Sequence, residues 1–171
     1  MEYFSIIKDS DIFENPLPEP EGYTSRPTVK GIVSDADGAI SVLTIHGRSL
    51  FPGGGVEDGE TFEEAFVREC KEEIGCDIKI ISSLGSALEF RNKDAKKYEV
   101  HFFVAHVIGE KGIPTTTQEN EQGVTIEWLS KEIISTRLAT QEATLAQDVY
   151  MPYFATRTHF SALQKFLETC E

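Results

Sequence analysis

Cysteine is scarce in this chain. The three present, Cys70, Cys76 and Cys170, form an odd set with no CxxC pair and no Cys/His spacing suited to zinc, so neither a disulfide framework nor a structural zinc site is expected. They read as reduced, buried thiols. Long apolar runs are also missing. The longest, within residues 100–108, is interrupted by His101 and His106 and is too short to cross a bilayer. The opening MEYFSIIKDS has no basic segment followed by an apolar one, so no secretory signal is read and the chain is expected to be soluble and cytoplasmic. There is no Lys/Arg-rich block, and 29 acidic residues against 16 basic ones leave a net charge of -13. Such a surface repels nucleic acid and anionic membrane, so stable binding to either is not expected. Repeats and low-complexity tracts are absent.

What is present describes an ordinary globular protein. At 171 residues, with 40% apolar and 26% charged content, the chain suits one domain and needs no staple. Residues 15–27 carry Pro16, Pro18, Pro20, Pro27 and Gly22, and cannot form a helix or a central strand. Residues 1–27 are therefore expected to be a lead-in to a single domain over 28–171 with a helical tail. Tyr3, Phe4, Ile6, Ile7, Ile12 and Phe13 give that lead-in apolar side chains that cover the protein's own sheet or pair two copies in a homodimer.

Residues 28–34 and 39–45 are apolar runs around Asp35-Ala36-Asp37-Gly38, a hairpin signal. The same DxDG is no calcium loop, because its twelfth position is His46 where a bidentate Glu is required. Thr61 with Glu64 forms a capping box that predicts a helix to about Ile74, stopped by Gly75. Residues 79–82, 86–90 and 97–108 read as strands, the last apolar on both faces and so central. A strand at 124–129, a short helix at 130–134 and a helical tail from residue 140 complete a mixed α/β sandwich. In the tail Phe160, Leu163, Phe166, Leu167 and Cys170 share one stripe.

Chemistry concentrates between Gly53 and Cys76. At 100° per residue, Phe62, Ala65, Phe66, Glu69 and Glu73 fall on one stripe of the helix, with Glu72 beside them. Three carboxylates at the edge of a buried face repel each other and lose solvation, and nothing structural is expected to reward that. A hard divalent cation such as Mg²⁺ or Mn²⁺ does reward it. The glycines at 53–55 let the backbone pass close to whatever covers the carboxylates, and Glu60 adds a fourth acidic group at that end.

Gly54, five residues, Glu60, seven residues, then Arg68-Glu69-Cys70-Lys71-Glu72-Glu73-Ile74-Gly75-Cys76 resembles the Nudix box, GX5EX7REUXEEXGU. Every fixed position is met. Cys70 and Cys76 stand where the pattern has bulky aliphatic residues, a change that bears on packing more than on chemistry. Phe51-Pro52-Gly53 and Glu127-Trp128-Leu129 are similar to family habits at those places. The resemblance implies a Nudix-like α/β/α sandwich with a mixed β-sheet and the box as loop-helix-loop. It also implies hydrolysis of a nucleoside diphosphate linked to another group, X.

By position, the resemblance makes Glu69, Glu72 and Glu73 the metal ligands, with Glu60 supporting the loop or the metal shell. Arg68 orients the carboxylates, and Gly54 offers a backbone oxygen or close approach. A box glutamate, or Glu119 or Glu121 on the loop 115–123, accepts the proton of the attacking water. Arg48, Phe90 and Arg91 are candidate substrate contacts. The downstream proline or tyrosine of ADP-ribose and dinucleoside polyphosphate enzymes is absent, which leaves a (deoxy)nucleoside triphosphate or an oxidised nucleotide as the expected substrate. The alternatives are ADP-ribose or another nucleotide sugar, or a catalytically silent nucleotide-binding module.

Overall fold

The computed structural model describes residues 3–115, 123–144 and 149–169. Seven strands form one mixed sheet: β1 (Tyr3–Lys8), β2 (Thr24–Ser34), β3 (Ile40–Ile45), β4 (Arg48–Leu50), β5 (Asp77–Arg91), β6 (Lys96–Ile108) and β7 (Thr125–Leu129). The order is β1-β5-β6-β2-β3-β4, with β7 also pairing β3. The β1–β5 and β2–β6 pairs are parallel and the others antiparallel. The helices are α1 (Asp9–Ile12), α2 (Phe62–Ile74), α3 (Lys131–Thr144) and α4 (Tyr150–Thr169). No helix among the described residues is long and apolar enough to cross a membrane.

Alternation along the strands divides the core in two. Tyr98, Val100 and Phe102 of β6 and Ile32 of β2 face α3 and α4, packing with Ile134, Leu138, Ala162 and Leu163. Phe103 and Ala105 of β6 and Val29 and Val33 of β2 face α2, packing with Ala65, Phe66, Cys70 and Ile74. The result is the α/β/α sandwich. Each fully buried Phe or Leu contributes about 1.5–3 kcal/mol to it. Cys70 and Cys76 are free and wholly buried in the α2 layer, filling the aliphatic positions of the box; Cys170 lies outside the described residues.

Several expectations change in detail. The runs at 79–82 and 86–90 are one strand, β5, whose register shifts between Ile80 and Ser82 and between Ser83 and Gly85. Those bulges absorb the serine-rich stretch that reads as a break in sequence. The short helix at 130–134 extends to Thr144, and the tail divides into α3 and α4. Pro27 lies inside β2, on whose free side its carbonyl accepts from Val56 N–H, so its missing N–H faces a loop rather than β6. The first strand pairs with β5, and Ile7 and Ile12 are buried with Phe154 of α4.

Candidate active site

The glycine turn is fastened to the free edge of β2. Val29 N–H donates to Gly54 O at 2.9 Å, and Gly31 N–H to Pro52 O at 3.1 Å. The backing holds the turn against α2, whose start is fixed by the Thr61–Glu64 capping box and whose end is Gly75, at φ 67°. A Cβ on Gly54 would lie 2.4 Å from Glu69 Oε1. Residue 54 is glycine because a carboxylate occupies the space. Next to it, Gly53 N–H donates to Glu73 Oε2 at 2.6 Å, and Lys30 Nζ donates to Gly53 O.

Arg68 lies among the remaining carboxylates. Its Nε donates to Glu60 Oε1 at 2.7 Å, one terminal nitrogen to Glu60 Oε2 at 3.0 Å and Gly55 O at 2.9 Å, and the other to Glu69 Oε1 at 2.8 Å and Glu72 Oε2 at 3.3 Å. Hydrogen bonds from Arg68 hold the Glu60 carboxyl down at about 2, and the same bonds raise the guanidinium further. This corrects the expectation that nothing structural rewards the acidic cluster. Arg68 and the Gly53 amide compensate it, so self-repulsion is not its dominant energy. Among the described residues, no three His, Cys, Asp or Glu side chains stand arranged to hold a metal ion. The donor chemistry nevertheless suits a hard cation. The oxygens are carboxylates, Gly54 leaves a cradle over Glu69, and the two-bond hold of Glu60 anchors Arg68 without Glu69 or Glu72.

The other candidate residues are distributed more widely. Glu119 and Glu121 lie outside the described residues, although the chain leading to them is tied to α2 by Thr115 N–H donating to Glu72 O at 3.0 Å. Arg48 is not brought to the carboxylates. It lines hollows between the β3–β4 hairpin and helices α3 and α4. Phe90 points to the opposite face of β5 from Glu89 and Arg91, edge-on to Tyr23 at 5.2 Å between centroids. Arg91 is 6% exposed and paired with Glu89, and lies in a cavity of about 190 Å³ that reaches Gly54 and Gly55 from the α4 side. Sequence reading missed Arg26, Lys30, Glu89, Tyr98 and His159 in that cavity. Lys30 alone within an apolar strand, and Glu89 and Arg91 two apart in another, were the available signals. His101 and His106 are satisfied sheet residues, bonded to Ser83, Ser86 and Ser34.

The NUDIX domain model matches residues 24–150. An RNA pyrophosphohydrolase of Aeromonas hydrophila is 37% identical over 76 residues, 42% of this chain and 43% of that protein. A Nudix hydrolase of Deinococcus radiodurans is 32% identical over 105 residues, 56% and 57% of the two chains. The chain thus spans about half the length of these relatives. Among solved structures, a MutT protein from Methanosarcina mazei Go1 superposes with a TM-score of 0.60 at 19% identity, covering 90% of this chain and 99% of that one. That likeness shows the fold.

Proposed function

Because the chain belongs to the Nudix family, we propose that it hydrolyses the diphosphate linkage of a nucleoside diphosphate joined to another group, best a (deoxy)nucleoside triphosphate or an oxidised nucleotide, with Mg²⁺ or Mn²⁺ as cofactor. The observation that carries the reading is the Gly54–Glu69 approach, where the absence of a side chain lets a carboxylate lie directly against the glycine turn. Glu69, Glu72 and Glu73 would hold the cation, which when bound neutralises phosphate charge and acidifies water.

The protein's own groups do the rest by position. Glu60 retains Arg68, and Arg68 keeps Glu69 and Glu72 turned toward the glycine turn. Gly53 N–H fixes Glu73. A carboxylate of the box, or Glu119 or Glu121, accepts the water proton as the water oxygen bonds to phosphorus and the bridging P–O bond breaks. Both products then end in phosphate. The substrate is a small nucleotide, and stable nucleic-acid binding is not expected at a net charge of -13. The similarity to RNA pyrophosphohydrolases adds one substrate worth testing, an RNA with a 5′-triphosphate.

The test is phosphate or pyrophosphate release from dNTPs, 8-oxo-dGTP, ADP-ribose, NADH, a dinucleoside polyphosphate and a 5′-triphosphorylated oligoribonucleotide, with and without Mg²⁺ or Mn²⁺. Metal-dependent release from any of these is expected, and the preferred one names X. Silence from all of them in protein that binds metal by titration would favour the silent nucleotide-binding module.

A further inference from the structure

The glycine turn is the least restrained backbone beside the carboxylates, since Gly53, Gly54 and Gly55 all lack a Cβ. It runs antiparallel to β2 along that strand's free edge. Thr28 bridges to Gly55, Gly31 N–H donates to Pro52 O, Val29 N–H to Gly54 O, and Val56 N–H to Pro27 O. Such a ladder bonds alternate residues, so it holds Pro52, Gly54 and Val56 and passes over Gly53. Gly53 stands at φ 130°, and a Cβ there would lie 2.2 Å from Val29 O. The position admits glycine alone, and no side chain of its own can steady it.

Two other side chains hold Gly53 instead. Glu73 of α2 accepts from its N–H at 2.6 Å, and Lys30 of β2 donates to its carbonyl. Lys30 alternates along β2 with Ile32, which is buried in the core beneath α3 and α4. An apolar side chain at position 30 would extend that core. A half-buried ammonium loses solvation there, and its hydrogen bond goes to a carbonyl rather than to a carboxylate. Its charge is felt in both layers of the sandwich. Burial gives His159 of α4 its low pKa, and Lys30 adds to the effect; burial gives Cys70 of α2 its high pKa, and Lys30 opposes it.

We propose that Lys30 is a positioning residue for Glu73 and Glu69, acting through the backbone of the glycine turn. Its grip on the Gly53 carbonyl fixes the Gly53–Gly54 peptide unit, which otherwise rotates about the bonds of two glycines. Rotation would carry the Gly53 N–H away from Glu73 and shift the bare Gly54 from its place against Glu69. The consequence for metal binding rests on the pyrophosphohydrolase reading, whereas the effect on the turn does not.

The test compares the full chain with Lys30→Met, which keeps the stem but removes donor and charge, and Lys30→Arg, which keeps both. In metal-free protein labelled with ¹⁵N-glycine, the Gly53 amide proton of the parent is expected far downfield, as suits a donor to a carboxylate. It should move upfield in Lys30→Met and return toward the parent position in Lys30→Arg. In calorimetric titration Lys30→Met is expected to raise the Kd of Mn²⁺ about tenfold or more, and Lys30→Arg to recover most of the loss. A Gly53 resonance unmoved in Lys30→Met overturns the proposal. So does tighter Mn²⁺ binding, which would make Lys30 only a charge opposing the cation. Unchanged Mn²⁺ binding with a raised KM alone also overturns it, since Lys30 would then be a substrate contact. Should Lys30→Met fail to fold, the parent labelled with ¹⁵N-lysine decides. The Lys30 ammonium is expected to exchange protons with water more slowly than that of exposed Lys131, and equal rates overturn the assignment. A Gly53 amide that responds in a protein binding no Mn²⁺ overturns the metal-dependent reading and leaves the role of Lys30 in the turn standing.

Discussion

At Glu73 the carboxylate has two tasks that substitution can separate. Its Oε2 accepts from Gly53 N–H at 2.6 Å, and an amide oxygen can keep that bond, so Glu73→Gln preserves the turn while removing the charge. Turnover should fall at least about a hundredfold, about 2.7 kcal/mol of barrier, with little change in Tm. A Glu73→Gln protein with near wild-type turnover would remove Glu73 from the metal site. Gly54→Ala probes the other side of the same contact. The new methyl meets Glu69 Oε1 at 2.4 Å, so the carboxylate must leave the turn. Turnover should drop at least as far, and calorimetric titration should show weaker Mn²⁺ binding; unchanged binding and turnover would make the cradle incidental. These residues were legible in sequence because spacing carries them, from Gly54 through Glu73 along one loop and one helix. Arg26, Lys30, Glu89 and His159 were not, because β2, β5 and α4 bring them together from distant parts of the chain, and no local period records that meeting.

Helix α2 was readable end to end. Its capping box and its Gly75 stop are local chemistry that tertiary context had no reason to override. Gly75 has a second constraint that sequence did not show. A Cβ there would stand 2.7 Å from the backbone carbon of Gly112, and Gly112 N–H donates back to Gly75 O at 3.1 Å. Gly75→Ala therefore meets both a left-handed φ and the chain running toward residues 116–122. A loss of at least about 1–2 kcal/mol is expected by urea denaturation. A loss under half that would mean the 109–115 segment gives way freely. In contrast, α3 and α4 were blurred into a short helix and a tail. The start of α3 at Lys131 is local, Ser130 Oγ accepting from Ile133 N–H at 3.4 Å, whereas the apolar residues of α3 and α4 are placed by packing on the sheet.

One joint between elements carries a pH signature. Phe51, at the exit of β4, is tied to α4 through neutral His159. Unfolded, a histidine titrates near 6.5; folded, His159 titrates well below that because it is buried. Below about pH 6.5 the unfolded chain therefore binds the extra proton, and stability falls as pH falls, by up to about 1.4 kcal/mol per pH unit. Burial lowers His101 too, in the same direction. Unfolding free energy measured between pH 7.5 and 5.5 should decline below 6.5, with the slope reduced in His159→Gln. A flat profile would mean that the ring is charged in the fold and that the Phe51 bond is absent.

For the whole molecule, the question is what fastens the α4 layer to the sheet. Apolar contacts do most of it, but Thr158 of α4 also donates to Glu89 Oε1 while Glu89 Oε2 holds Arg91, both carboxylate and guanidinium being almost fully buried. Removing one member leaves a buried charge with no counterpart, so Glu89→Ala should cost about 3–5 kcal/mol, a large part of the roughly 5–15 kcal/mol that holds such a domain folded. Replacing both with apolar residues of similar volume, Glu89→Leu with Arg91→Met, removes the charge conflict. It should recover most of that loss. Urea denaturation of Glu89→Leu, Arg91→Met and the double closes the cycle, and a double no better than Glu89→Leu would show that the pair is worth its desolvation after all. If the double variant is as stable as the parent, the ion pair is not what keeps α4 docked.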